Sequence, residues 1–209
     1  MKYDNLRQAK ADNSQKPCGV PGCTKHRHGI SKWCSTHKYA ADTWGHPLAR
    51  TIASRELATE EAAVRRLIDL NTEHQGIAYA VNFLDTLLLA AAQGTTHAPA
   101  GDRLAALYNA GLTGKELLVR VAAVYLCREG HRRLILSDRH FGAVVGHAIL
   151  RACQLPRHER IYGGQRRSVG KYVIDHIGTL ALNIAKTATQ VELQRNQRLN
   201  EMAKPLLLG

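Results

Sequence analysis

Beyond residue 58 the apolar positions fall at intervals of three and four, the spacing of a single buried helical face. Thr59 is placed to cap a helix over 59–70, with Val64, Leu67 and Ile68 on one side. A second helix fits 72–93, where Ile77, Ala80, Val81, Leu84, Leu87, Leu88 and Ala91 share one face. Residues 94–101 form a loop by composition and a candidate domain boundary. Asp102 caps a short helix to Ala110. Thr113 and Glu116 have the spacing of a capping box, in which each side chain satisfies the other's backbone donor. They open a helix to Arg128 with Leu117, Leu118, Val121, Val124 and Tyr125 inside, and Gly130 stops it. Ser137 caps a helix over 138–152 that buries Phe141, Val144, Val145, Ile149 and Leu150.

The period then changes. Residues 159–162, the pair Gly163-Gly164 and residues 165–174 alternate in the manner of a β-hairpin. Its tip and second arm carry Arg166, Arg167 and Lys171. From Asp175 to Ala203 the helical period returns, with Ile177, Leu180, Ile184, Val191 and Leu199 as a stripe. Two helices followed by a basic hairpin is the order of a winged helix, in which one helix enters the major groove and the hairpin lies against neighbouring phosphate. The expected fold is mainly α. A polar, flexible tail spans 1–16, a small module 17–50 and a helical hairpin 51–95. A winged-helix-like unit then covers 102–174 and a C-terminal helix 175–204.

The segment 17–50 has no such period and needs another source of stability. It contains Cys18-Gly-Val-Pro-Gly-Cys23 and Cys34-Ser-Thr-His37, a C-x4-C-x10-C-x2-H pattern. A structural zinc ion takes a closed tetrahedral shell of thiolates and imidazoles, and two short ligand pairs joined by a loop supply it. Pro21-Gly22 is turn chemistry that can fold Cys18 and Cys23 back on one ion. A helix from Ser35 to Thr43 would set Cys34 and His37 on one face of its first turn. His26 and His28 compete with His37 for the fourth position, but they lie in the basic loop 25–28. Cys127 and Cys153 fall in apolar helical surroundings and read as buried spectators.

Composition narrows the function. The 209 residues carry a net charge of +12 with a pI near 9.8, so an anionic partner comes first. Residues 1–50 hold nine Lys/Arg against three acids and residues 151–209 ten against four, whereas residues 51–100 hold three against six. Two basic poles therefore flank an acidic middle. Five cysteines, an odd number, without a leader sequence point to a reducing, cytoplasmic setting rather than a disulfide framework. No run of eighteen apolar residues is present, which argues against a membrane span. Aromatic residues make up only 5%, too few for a platform that stacks many bases of a single strand.

Two resemblances follow. Residues 18–50, with Cys18–Cys23, Trp33-Cys-Ser-Thr-His37 and Trp44-Gly-His-Pro-Leu48, resemble the small zinc modules beside homing-type (HNH) endonuclease domains of phages. Residues 137–172, from Ser137-Asp-Arg-His-Phe141, resemble more loosely the winged-helix domain of phage and plasmid primase-helicases. The first implies a zinc-folded module that assists DNA contact; the second implies DNA binding by the 138–152 helix and a 163–171 wing. Neither brings a catalytic core: no His-Asn-His metal site follows the module, and no phosphate-cradling loop is present.

Catalytic candidates are thin. His140 and His147 share a helical face and His158 follows, but only Asp138 and Glu159 are near. Asp69, Glu73 and Asp85 form no metal-nuclease pattern. The expectation is a non-enzymatic binder of nucleic acid, double-stranded DNA before RNA, from a phage, plasmid or prophage. Its zinc would sit on Cys18, Cys23, Cys34 and His37. Lys25, Arg27 and Lys32 would clamp backbone, Arg139 and His140 would enter a groove, and Arg166, Arg167 and Lys171 would touch phosphate. No small-molecule substrate is expected. The rival is a subunit of a larger nucleoprotein machine, such as an RNA-guided (CRISPR-type) effector, contacting RNA, target DNA and neighbouring subunits.

Overall fold

Ser137 and Thr113 each accept a hydrogen bond from the third residue of the helix that follows, and His74 one from the second. These caps help frame a helical molecule. The computed structural model describes residues 2–96, 100–131, 133–155 and 163–202; among them the only β pairing is an isolated bridge between Pro17 and His26. The elements are α1 (Lys2–Ser14), α2 (Ser35–Trp44), a 3-10 turn (Ser54–Glu56), α3 (Ala58–Leu70), α4 (Gln75–Ala92), α5 (Ala100–Asn109), α6 (Gly114–Gly130), α7 (Asp138–Leu150) and α8 (Gly163–Met202).

Helix α6 lies at the centre. Leu117, Leu118, Val119, Val121, Ala122, Val124 and Cys127 have no solvent exposure, so the expected single inner face extends over most of the helix. A helix apolar on most sides must be wrapped, and α3, α4, α7 and α8 all pack on it. One continuous core runs from Ile52 to Ala188. The loop at 94–101 therefore does not separate two cores, because α4 packs on both α5 and α6 across it. Helix α4 is long and apolar enough to cross a membrane, with mean hydropathy 1.3. The expectation from uninterrupted apolar runs had missed this. Its face of Ala80, Leu84 and Leu88 is nonetheless fully buried in that core.

Polar contacts tie the outer helices down. Arg120 on α6 binds Glu61 at 2.7 Å and Glu116 at 2.9 Å, and Glu116 also takes Arg65 at 2.6 Å. Burial raises the carboxyl of Glu61, and its neighbour Glu116 adds to that, while Arg120 opposes both. Glu116 is equally subject to burial, but two guanidiniums overcome it and hold its carboxyl below the usual range. This pairing explains why only half of the expected capping box forms: Thr113 Oγ1 accepts from the Glu116 amide at 3.2 Å, but the Glu116 carboxylate is committed to arginines. Thr59 lies inside α3, whose N-cap is Leu57, and α4 starts from His74 rather than Thr72.

Two expectations are overturned. The wing's turn and second arm, from Gly163 onward, are the first turns of α8, one helix continuing to Met202. The first arm, 159–162, lies outside the described residues, as does His158. Val169, Val173 and Ile177 recur every four residues and are all buried, the helical period that the local alternation concealed. Gly170 is a packing glycine. A Cβ there would lie 1.8 Å from Gly142 O, and one at Gly146 would lie 1.8 Å from Arg166 O. Small residues let α7 and α8 cross with their backbones in contact. The tail 1–16 is the second correction, since α1 is a helix. Asn13 Nδ2 fastens its end to the carbonyls of Gly29 and Ser31, both at 2.8 Å.

Candidate metal centre and basic groove

The chain between Lys16 and Cys34 is folded by backbone pairing across a short knuckle. Cys18 N donates to Lys25 O at 2.9 Å, Arg27 N to Lys16 O at 3.0 Å, and Gly19 N to Lys32 O at 2.8 Å. Cys23 N closes a turn onto Val20 O at 3.1 Å. Cys34 is the N-cap residue of α2, which places His37 one turn along. The outcome is one cluster: the ligand atoms of Cys18, Cys23, Cys34 and His37 all lie within 4.8 Å of one another. His37 Nδ1 is 3.3 Å from Cys18 Sγ and 3.4 Å from Cys34 Sγ, and Cys23 Sγ is 4.0 Å from Cys34 Sγ. A tetrahedral metal with bonds of about 2.0–2.3 Å sets its ligands roughly 3.3–3.8 Å apart; the two His37–thiolate separations fall in that range and the Cys23–Cys34 separation lies just outside it. Burial raises the Cys18 thiol, but hydrogen bonds from the Cys34 and Val20 amides, together with His37 and Cys23, outweigh it and lower its pKa to about 6. The four residues are positioned to bind a metal ion. His26 turns to Gln15 O at 3.2 Å instead, and His28 is exposed outside the cluster.

The expected nucleic-acid residues separate into three groups. Lys25 and Lys32 are exposed on the knuckle, Lys25 beside Thr36 at 3.3 Å and Lys32 over the Trp33 ring at 5.0 Å. Arg27 is half-buried and holds the knuckle together, with Nε donating to Pro17 O at 2.9 Å. A second group forms the joint between knuckle and body. Trp44, at the end of α2, packs on Ala49 and Ala143 and meets His147 edge-on at 5.4 Å. The Arg166 guanidinium sits over the same indole at 5.0 Å, a cation–π contact. His140 has no solvent exposure: Nδ1 accepts from the Leu136 amide at 3.2 Å, so Nε2 carries the proton given to Arg50 O at 3.0 Å. His140 is thus a structural group, against the expectation of nucleic-acid contact, while Arg166 is half-buried on Trp44. Burial, with Arg166 and Arg151 nearby, pushes His147 down to about 4.

The third group is brought together. Arg139, Arg167 and Lys171 line a groove of ≈ 370 Å³ with Arg128 and Asp138, floored by Tyr125, Phe141, Gly142 and Ile174. Arg128 is new to this set. It comes from the last turn of α6, and no sequence spacing links it to α7 or α8. Asp138 holds Arg128 at 2.7 Å, and Arg167 donates to Asp42 O at the end of α2. The knuckle therefore bears on the groove directly. Gly45, the α2 C-cap at φ 80°, lies so close that a Cβ would come within 2.5 Å of Arg139 Cβ. Comparison with protein families, with curated proteins and with solved structures finds no match to this chain.

Proposed function

We propose that the protein is a non-enzymatic nucleic-acid binder that takes double-stranded DNA into the α6–α7–α8 groove and uses the Cys3His cluster for a structural zinc. The groove carries the reading: four cations from three helices line it with one acid, Asp138, which pairs with Arg128, while Asp175 outside the lining pairs with Lys171. The amino end of α7 opens onto it, adding the positive end of a thirteen-residue helix. Three thiols and an imidazole gathered within 4.8 Å suit zinc, which would supply folding energy to a segment too small to bury a core. The zinc takes no part in chemistry. A phage, plasmid or prophage setting is part of this reading and rests on the resemblance of residues 18–50.

Each neutralised phosphate contributes roughly 0.9 to the slope of log affinity against log salt on duplex DNA. Arg139→Ala with Lys171→Ala should flatten that slope by about 1.8 while leaving thermal stability within about 0.5 kcal/mol, as for exposed positions generally. An unchanged slope removes the groove from the interface. A second reading has one observation behind it. A larger groove of ≈ 620 Å³, with Ala62, Leu126 and Leu193 set among Glu60, Arg66 and Glu192, lies between α3, α6 and α8 and suits a neighbouring subunit of a nucleoprotein complex. In that case the isolated chain would hold duplex weakly until its partners are added.

A further inference from the structure

The basic groove reaches Ile174, and the same side chain lines a second depression of ≈ 390 Å³ between α4 and α8. One wall is aromatic. Tyr79 is 67% exposed, and its ring stacks on Phe83 with centroids 6.3 Å apart and planes inclined by 19°. Phe83 packs against the core, whereas Tyr79 stands outside it and leaves much of its ring to solvent. The other wall is polar: Asp175, His176, Thr179 and Asn183, from successive turns of α8. His176 Nδ1 donates to Tyr172 O at 2.7 Å, which leaves Nε2 as the acceptor of the neutral ring. Asp175 binds Lys171, the last cation of the groove, at 2.7 Å.

We propose that this depression is a nucleobase site: a flat heteroaromatic ring lies on Tyr79 while its edge meets the polar side chains of α8. The proposal rests on the nucleic-acid reading above and names what the same surface recognises, an unpaired base beside a bound duplex. Lys171 and Asp175 are one helical turn apart, about 6 Å at 1.5 Å per residue. Ile174 lines both the groove and the depression, so a strand whose phosphate sits beside Lys171 passes from one directly into the other. A single-base site is also compatible with the 5% aromatic content, which rules against a long stacking platform but not against one ring.

The test compares a blunt duplex with the same duplex bearing a short oligothymidine tail, by fluorescence anisotropy on the full chain. One stacked base is worth roughly five- to a hundred-and-fiftyfold in affinity, from 1–3 kcal/mol at 1.4 kcal/mol per decade. The tailed duplex should therefore bind about tenfold more tightly than the blunt one. Tyr79→Ala should abolish that advantage, leave the blunt duplex within about twofold and keep the salt slope, because stacking releases no counterion. Tyr79→Trp should retain the advantage, which separates stacking from a packing defect. Adenosine monophosphate alone is the further arm: saturable binding lost in Tyr79→Ala supports the same site as one for a free nucleotide. Equal binding of tailed and blunt duplex, with no mononucleotide binding, overturns the base site and leaves the groove standing. Failure of the parent protein to bind any of these probes overturns both readings.

Discussion

The knuckle of residues 17–50 and the helical body beyond it solve the same problem with different chemistry. Around its four clustered side chains the knuckle buries Cys18, Val20 and Cys34, packed with Trp33 and Cys23, and two of those three are candidate ligands; Trp44 and Ala49 pack instead on Ala143 of the body. The body buries dozens of aliphatic side chains around α6. Each fully buried leucine there contributes about 1.5–3 kcal/mol by leaving water. Around the Cys3His cluster the knuckle has almost nothing of that kind, so a metal held there would supply the missing stability. Small segments need a staple where large ones need only area.

Removing the metal breaks this comparison most severely. Structural zinc contributes apparent free energies of about 10–16 kcal/mol in small peptides, and on the proposed reading it would act on the knuckle alone. Cys23→Ser should take the bound zinc, measured by elemental analysis, from one ion per chain to none. Amide exchange should then show residues 17–44 unprotected while α4 and α6 keep their protection. Metal-free protein with the parent's thermal stability and a protected knuckle would show that the four ligands are not a metal centre.

The joint is the next place to separate the two regions. Trp44 lies at 6% exposure against α7, beneath the Arg166 guanidinium. Trp44→Ala should cost about 3–5 kcal/mol in denaturant unfolding while the zinc content stays at one, because no ligand is touched. A loss of metal as well would mean that the body imposes the geometry of the knuckle.

A smaller effect concerns pH. His147 titrates at about 4 in the folded chain against an ordinary 6.5, because it is buried and faces Arg166 and Arg151. Unfolded chains gain the proton first as pH falls, so this histidine contributes stability above pH 6.5 that is lost progressively towards pH 4. Its full share is at most about 3 kcal/mol, from 1.36 kcal/mol per unit. His147→Gln should make the decline between pH 6.5 and 4.5 shallower, with metal content followed in parallel because the ligands also take up protons. An identical slope in the variant would mean that His147 is solvated in solution.

How much could be read beforehand differs between the regions. The Cys18, Cys23, Cys34 and His37 cluster was legible because two of the four form i,i+3 at the start of one helix and two flank a Pro-Gly turn, which are local relations. Helices α3 to α7 were legible within a few residues from caps and period. The 163–174 segment was misread because Gly163-Gly164 has turn chemistry and residues 165–174 happen to alternate. Its buried residues Val169 and Val173 acquire meaning only from α7 lying against them. His140 was misassigned for a related reason. A polar residue in a helix's first turn looks like a surface contact until Leu136 and Arg50 are seen to claim both of its ring nitrogens.

By itself, the sequence determined the mainly α class, the positions of most helices, the basic poles and the Cys3His set positioned to bind a metal, since all of these follow from near neighbours along the chain. The tertiary structure alone decided that 163–202 is one helix and that α6 is buried on nearly every side. It also decided that Arg128, Arg139, Arg167 and Lys171 share a groove while Arg166 packs on Trp44. These are relations between residues far apart in sequence, set by which faces exclude water together, and no local period encodes them.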